Sequence, residues 1–566
     1  MASVDPVEVE RFASLAGLGP LAARVLWARG LCDPAEARRF LNPSLHDLHD
    51  PLRMRGMPEA LARLRRAIEA RERILIYGDY DVDGTTSVVL LKKAIELAGG
   101  EAGFHVPHRL KDGYGMRPEV VERAADEGVR LIVSVDTGIR AAESVRRAAQ
   151  LGVDVIVTDH HLPEAELPPA LAVLNPNQPG CPYPEKNLCG VGVAFKLVQA
   201  LLDTLPWPKE KVTRTLNSFL KLVAIGTVAD VVPLTGENRI IVRHGLDGLD
   251  NVKNPGLRAL LDVAGFAAGT APSAGQVAFR VAPRINAAGR MDTANDVIEM
   301  FLTADAARAR QLAEQLHVLN TERQEAEQAI VRAILEECAR VPVTGGDYAL
   351  VFSSLDWHRG VLGIVASRLV ERFNRPTFVL GHDAEGLAQG SGRSIPAFHL
   401  LDALESMPDF FLKFGGHAHA AGLTMSSDRV EAFREEFNRY ASSRLAPEDL
   451  LPTLSIDAEI ALPELNDRTV TELLSLAPFG HGNPMPVLVS RGVEIGAAPT
   501  LMKEKHFRVP VVQNRRALVL KGWNLAERAP ELTPGKRVDI AFHIEEDAFS
   551  VSRGYPGWSA VLRDFQ

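Results

Sequence analysis

The chain has 566 residues, 46% of them hydrophobic, and a formal net charge of −9. That length predicts several domains with ample apolar content for buried cores; no run of about 18 apolar residues occurs, so no membrane span is expected. The charge argues against a protein that coats duplex DNA nonspecifically, but not against a nucleic-acid enzyme whose basic residues are local. The first residues, Met1-Ala2-Ser3-Val4-Asp5-Pro6, lack the basic-then-apolar layout of a signal peptide. Cys32, Cys181, Cys189 and Cys338 show no paired metal spacing and fit a reducing cytoplasm. Cys181 and Cys189 flank a proline-rich loop and read as packing residues.

Residues 1–50 predict a small, mostly helical segment, and an α/β domain is expected over 51–300. There the apolar stretch Ile74-Leu75-Ile76-Tyr77 runs into Gly78-Asp79-Tyr80-Asp81-Val82-Asp83-Gly84. Three carboxylates this close repel one another unless a cation neutralises them. The same run opens a calcium-binding EF-hand, but that loop needs a bidentate Glu at its twelfth position and an upstream helix. The twelfth position is Leu90 and the upstream segment is strand-like. A merely solvated acidic turn would not explain why further acids recur at the ends of later apolar runs.

Pro107 to Gly115 includes Arg109, Lys111 and Tyr114 just after a predicted strand, where they suit the entrance to a site. Leu131 to Val135 and Val153 to Thr158 are short β-branched runs, ending at Asp136 and at Asp159-His160-His161. Leu222 to Ala229 is taken as a third strand, ending at Asp230. Helix-like stretches at 118–127 and 141–151 lie between, so a parallel, buried sheet is expected. Ligands of such sheets gather at the carboxyl ends of the strands. Asp83, Asp136, His160 and Asp230 would converge there. Carboxylates with one imidazole suit Mn²⁺ or Mg²⁺ better than Zn²⁺. Five or more candidate ligands suggest two ions about 3.5–4 Å apart with one carboxylate bridging, an arrangement that hydrolyses phosphate esters or anhydrides.

Residues 303–340 contain neither Gly nor Pro and carry Leu312, Leu316 and Leu319 at helical spacing. This long helix (301–340) reads equally well as a spacer or as part of a bundle. A second α/β unit is expected over 341–450, with a helix from Val361 to Arg372 and a glycine-rich turn at Gly390-Ser391-Gly392-Arg393-Ser394. Gly415-Gly416-His417 predicts another such turn. Glycines in these turns would let amides converge on an anion that Arg393 binds bidentately. Short strands over 451–566 suggest a small barrel. Lys503, Lys505, Arg508, Arg515, Arg516 and Lys521, interleaved with Phe507, suit a single-strand groove.

Gly78-Asp79-Tyr80-Asp81-Val82-Asp83-Gly84, Ser134-Val135-Asp136-Thr137-Gly138, Thr158-Asp159-His160-His161 and Gly226-Thr227-Val228-Ala229-Asp230 resemble the successive motifs of the DHH phosphoesterases. Pro283 to Arg290 resembles the segment that marks the RecJ single-strand-specific exonucleases, and Trp357 to Ala366 with Gly415 to Ala418 resembles the DHH-associated domain. The resemblance spans nearly the whole chain. It implies a parallel-sheet DHH domain, a connecting helix as spacer, a DHH-associated α/β domain and a C-terminal OB-like barrel. It implies a metal-dependent 5′→3′ exonuclease that degrades single-stranded DNA to mononucleotides in repair and recombination. Asp81, Asp83, Asp136, His160 and Asp230 would bind two divalent cations, Mn²⁺ favoured over Mg²⁺. Asp79 would be a ligand or support one, and His161 would contact phosphate or orient a ligand. Ser391, Gly392 and Arg393, helped by Arg280, would hold a 5′-phosphate, with His417 near the scissile phosphate. Arg284, Asn286 and Arg290 would bind the next phosphates. A cytoplasmic monomer is expected, and a single-strand-binding protein and a DNA helicase are the partners the resemblance suggests. The alternatives are a phosphodiesterase of short oligoribonucleotides or cyclic dinucleotides, and an inactive replication scaffold.

Overall fold

The computed structural model describes residues 5–109, 112–113, 115–291, 294–547 and 557–566. Three short helices come first: α1 (Pro6–Ala16), α2 (Pro20–Ala28) and α3 (Pro34–Leu41). Each starts on a proline, whose missing N–H would have had no helical partner. The Asp5 and Asp33 side chains cap α1 and α3.

After α4 (Met57–Glu69) the chain builds its first sheet: β1 (Arg73–Tyr77), α5 (Val82–Leu97), β2 (Ala102–His105), α6 (Pro118–Asp126), β3 (Val129–Val135), α7 (Ala142–Gln150), β4 (Asp154–Thr158) and β5 (Ala172–Leu174). The strands are all parallel, in the order β2-β1-β3-β4-β5. Ile74, Ile76, Leu131 and Val133 enter one core, while Tyr77, Ile132, Val155 and Val157 enter the other. Strand order reverses between β1 and β3, which opens a crevice at their carboxyl ends.

Helices α8 (Gly190–Asp203), α9 (Lys209–Ala229), α10 (Gly236–Asp247) and α11 (Pro255–Val263) follow. Here one expectation fails. Leu222–Ala229 is not a strand but the last two turns of α9. Val223, Ala224, Ile225, Thr227 and Val228 are all buried, and a short run that is apolar on every side has no period to separate helix from strand. The helical signal lies upstream, in Val212, Leu216, Phe219 and Leu220.

The short α12 (Ala274–Gln276) leads into a π-helical turn at Val277–Val281, then α13 (Ala282–Met291) and α14 (Asn295–Leu302). Helix α15 (Ala306–Arg340) has 35 residues, about 50 Å of rise. Its Leu312 and Leu316 belong to the core of the first lobe, and its Ile330 and Ile334 to a core of the second. It is therefore a spacer joining two lobes.

The second lobe contains β6 (Leu350–Ser354), α16 (Leu362–Phe373), β7 (Thr377–His382), β8 (Leu387–Arg393), α17 (Leu400–Glu405), β9 (Lys413–Gly416), β10 (Ala420–Ser426) and α18 (Val430–Ser442), with strand order β6-β7-β8-β10-β9. The expected glycine-rich turn is strand instead. Gly390, Ser391, Gly392 and Arg393 pair with β7 on one side and β10 on the other, so their backbone is committed to the sheet rather than gathered on an anion. Gly392 is required by packing, because a Cβ there would lie 2.5 Å from the Phe378 ring. Gly415 and Gly416 likewise belong to β9.

The C-terminal unit comprises β11 (Ala458–Glu459), α19 (Asp467–Leu474), β12 (Leu488–Ile495), β13 (Thr500–Met502), β14 (His506–Gln513), β15 (Arg516–Gly522), β16 (Arg537–Glu546) and β17 (Trp558–Phe565). Strands β12-β16-β17-β15-β14 run side by side, and β14 pairs back onto β12, closing a five-stranded barrel. The N-terminal helices are part of this unit. Phe12, Val25 and Leu26 share one core with Val470, Leu488 and Phe542. Among the described residues no helix is long and apolar enough to cross a membrane.

Arg239 on α10 fastens the first lobe to this terminal unit. Its guanidinium is fully buried and lies 3.6 Å from the Phe40 ring centroid. It donates to the carbonyls of Phe40 (2.6 Å), Leu476 (3.0 Å), Ala477 (2.8 Å) and Pro478 (3.4 Å). Arg239→Met strands these buried acceptors. It is expected to cost about 2–4 kcal/mol and to split urea unfolding, followed by tryptophan fluorescence, into two transitions.

Candidate metal centre

The crevice beyond β1, β3 and β4 gathers the carboxylates. Three groups bring ligand atoms within 4.8 Å of one another: Asp79, Asp81 and Asp136; Asp136, His160 and His161; Asp83, His160 and Asp230. Asp136 joins the first two groups and His160 the last two, so the cluster is continuous. His160 Nε2 lies 3.3 Å from Asp136 Oδ1, 3.6 Å from Asp230 Oδ2 and 3.9 Å from Asp83 Oδ2.

Local structure explains each placement. Asp81 is the N-cap of α5, accepting from the Gly84 amide at 3.0 Å, which puts Asp83 in the first helical turn. Asp83 is gripped by the start of α8: the Gly190 amide donates to Oδ2 at 2.6 Å and the Val191 amide to Oδ1 at 2.7 Å. A helix N-terminus is a natural seat for an anion. Asp136 sits at φ 58, a left-handed conformation that Asp tolerates. Gly190 must be glycine, since a Cβ would stand 2.5 Å from that of Asp136. Asp230 is the residue on which α9 ends.

Sequence reasoning gave no role to several supporting residues. Asp159, fully buried, accepts from the Ile139 amide (3.0 Å), the His160 amide (2.8 Å) and the His161 amide (3.1 Å), and its Oδ1 is 2.7 Å from His161 Nδ1. Asn175 and Asn177 donate to the His161 and His160 carbonyls at 2.8 and 2.9 Å. The signal was present as Asn175-Pro176-Asn177 directly after the β5 run.

Electrostatics make this a cation site. Burial first, then Asp81, pushes Asp83 up to about 7 despite its amide donors. Burial, then Asp83 and Asp81, pushes Asp230 up to about 9. Burial and neighbouring carboxylates also hold Asp79 and Asp136 well above their ordinary range. Burial lowers His160 to about 4, which keeps the imidazole neutral with a lone pair for a ligand bond. Burial also works against a charged His161, but its bond to Asp159 outweighs this and raises it. Asp79 Oδ1, Asp230 Oδ2 and His160 Nε2 are buried without a hydrogen-bond partner. Oxygen and imidazole donors left unsatisfied beside mutually repelling carboxyls fit divalent cations of the Mn²⁺ and Mg²⁺ type.

The basic residues sort into separate groups. Arg290 is pushed down to about 9 by burial and then by Arg109, Arg323 and Arg393, so these positive charges, from both lobes and the spacer helix, act on one another. Arg290 donates to the Gly360 carbonyl at 3.0 Å, and Arg109 lies 5.0 Å from the Tyr80 ring centroid. Burial, then His419 and Arg393, lowers His417. Ser391 is half-buried on β8. Arg280 is engaged elsewhere: it donates to the Ala264 and Gly265 carbonyls at 2.6 and 3.2 Å and covers the Phe266 ring. Arg284 donates to the Arg280 carbonyl. Asn286 Oδ1 accepts from the Val82 amide at 3.2 Å, so it braces the start of α5. Lys111 and Tyr114 lie outside the described residues.

In the barrel, Phe507 cannot stack a base. Its ring is fully buried in the core because strand alternation turns it inward. Lys521 is paired with Asp547 at 2.6 Å. Lys503, Lys505, Arg508, Arg515 and Arg516 are exposed, and the nearby Trp523 is 43% exposed.

Family models match this chain in three places: the DHH family N-terminal domain over residues 73–227, the DHHA1 domain over 346–443 and the RecJ OB domain over 456–554. The single-stranded-DNA-specific exonuclease RecJ of Bacillus subtilis is 38% identical over 545 residues, covering 95% of this chain and 67% of that protein. The RecJ of Dickeya dadantii is 40% identical, covering 87% of each. The chain belongs to the RecJ family. The crystal structure of RecJ from Thermus thermophilus in complex with Mn²⁺ superimposes with a TM-score of 0.83 at 31% identity, covering all of this chain and 78% of that one; the same protein with Mg²⁺ gives 0.78 at 29% identity. The matched RecJ segments fall on the parallel-sheet lobe, the second lobe and the barrel.

The carboxyls of this RecJ-family centre set a pH dependence. Asp83 and Asp230 lose protons near 4 when unfolded, but only at about 7 and 9 when folded without metal. Between those limits the folded state binds more protons, so its stability falls as pH rises. Chelator-treated protein is expected to melt at a lower temperature at pH 8 than at pH 5.5, and Mn²⁺ is expected to raise the melting temperature more at pH 8. Asp136→Asn should raise the melting temperature of the chelated protein at pH 8.

Proposed function

We propose that this chain is a metal-dependent exonuclease that degrades single-stranded DNA from the 5′ end to mononucleotides, serving DNA repair and recombination. The observation that carries this reading is the buried to half-buried cluster of Asp79, Asp81, Asp83, Asp136, His160 and Asp230, with three partnerless donor atoms, near a cross-lobe group of arginines. These six residues would hold two divalent cations, Mn²⁺ favoured. Such cations supply activation of a water and neutralisation of charge on both oxygens of an in-line displacement.

The chain's own groups have distinct tasks. Asp83, fixed by two α8 amides, and His160, fixed through Asp159 and Asn177, keep the donors in place. His161, its proton affinity raised by the bond to Asp159 and its side chain 41% exposed, is suited to donate to a phosphate oxygen. Arg109, Arg290 and Arg393 concentrate positive charge where a terminal phosphate would bind. The exposed lysines and arginines of the barrel, with Trp523, would track the strand further out. The 5′ polarity rests on the family resemblance, as do a single-strand-binding protein and a helicase as partners. An intact donor set speaks against an inactive scaffold. The closed barrel speaks for a polymer over a dinucleotide.

The test is release of nucleotides from a long 5′-phosphorylated DNA strand with Mn²⁺. Mononucleotides should appear from the 5′ end, while a duplex or a 5′-blocked strand should resist. Equal or faster turnover of a dinucleotide would overturn the substrate class. Asp136→Ala should lose at least about 100-fold in kcat/KM, and its retention of full Mn²⁺-dependent activity would overturn the metal reading. His161→Gln is expected to reduce kcat/KM while leaving Mn²⁺ affinity, measured by calorimetry, near that of the parent.

A further inference from the structure

Among the described residues nine non-glycine residues have positive φ, and Val231, at φ 60, is the one that is β-branched. The other eight are Asp, Asn, Arg, Lys or Glu, whose unbranched Cβ carries less of the steric penalty of that region. Val231 directly follows Asp230, the residue on which α9 ends. Helices commonly end with glycine at this position. Packing does not offset the strain, because Val231 is 64% exposed. Its amide makes only a long 3.4 Å bond to the Val228 carbonyl. A strained backbone holding an apolar side chain in solvent points to function rather than to folding.

Its position says which function. Asp230 Oδ2 is 3.6 Å from His160 Nε2, so Val231 stands at the rim of the metal cluster. Leu162, two residues beyond His160 in the chain, is also apolar and 68% exposed. From Val231 the chain runs to the terminal unit within three residues. The Leu234 amide donates to the His481 carbonyl at 2.7 Å, and Gly482 packs so tightly on Pro233 that a Cβ would lie 2.9 Å away. Val231 therefore begins a short bridge from the cluster to the C-terminal unit.

We infer that Val231 is a substrate-contacting residue whose isopropyl group seats the sugar or base of the nucleotide adjoining the scissile phosphate. This rests on the reading of the chain as a single-strand nuclease. Nucleotides present apolar sugar and base faces beside each phosphate, and a strained valine at the rim meets such a face without reorganising.

Val231→Gly and Val231→Asn both relieve the backbone and remove the apolar contact. Both are expected to melt at or above the parent's temperature and to bind Mn²⁺ within about 2-fold of the parent by calorimetry. Both should raise KM for a 5′-phosphorylated oligo(dT) by about 10-fold, the scale set by losing the low end of one valine's apolar burial. Val231→Ile should keep KM near the parent's. An unchanged KM in both relieved variants would overturn the inference. So would a loss of Mn²⁺ affinity that matches the loss of activity, which would make Val231 a support for Asp230. A lower melting temperature in both variants would assign it to the fold and overturn the inference as well. A parent that releases no nucleotides overturns the nuclease reading itself, whereas an active parent equalled by both variants overturns this inference alone.

Discussion

Mutual repulsion among buried carboxyls is the constraint around which the first lobe is arranged. Asp79, Asp83, Asp136 and Asp230 all have their proton affinity raised by burial and by neighbouring carboxylates. The group that stands among three of them, the His160 imidazole, is itself held neutral by burial and so relieves little of that repulsion. The fold holds the cluster open with backbone: the N-terminus of α8 at Asp83, and a left-handed residue at Asp136. These are costs in a metal-free chain, and a cation converts them into affinity.

The positive charge is arranged by the opposite rule. Arg290, Arg109, Arg323 and Arg393 come from a core helix, a loop, the spacer helix and the second lobe, and each is more buried than a solvated surface arginine needs to be. Glu327 neutralises Arg323, but the other like charges repel, so an anion is favoured beside Arg109, Arg290 and Arg393. Their assembly depends on α15 holding the two lobes in register. Glu327 on that helix is 1% exposed and is paired with both Arg323 and Arg368, which ties the spacer to α16.

How much of this was legible depends on where information sits in a sequence. The strands before Asp79, Asp136 and His160 could be read because β-branched runs end abruptly in acids. Asp230 stood out as well, but the run before it is a helix buried on all sides, which hides its period. Gly390-Ser391-Gly392 looked like a turn because glycine is permissive, while the structure uses it to let the Phe378 ring cross the strand. Phe507 looked like a stacking platform because the sequence does not state which face of a strand turns inward. Asp159, Asn175 and Gly190 acquire their roles only once β4, β5 and α8 meet, a matter of tertiary contact rather than local pattern.

The shared core of α1–α3 and the terminal barrel has a consequence for how the chain is made. Phe12, Val25 and Leu26 complete their packing against Leu488, Phe542 and Leu562, residues that leave the ribosome only after both lobes. Helices α1–α3 therefore emerge with an uncovered apolar face and keep it throughout synthesis of both lobes. Domains that fold in order from the N-terminus would leave this one waiting. The nascent chain must shield that face, by a chaperone or by transient contacts, until the barrel strands arrive.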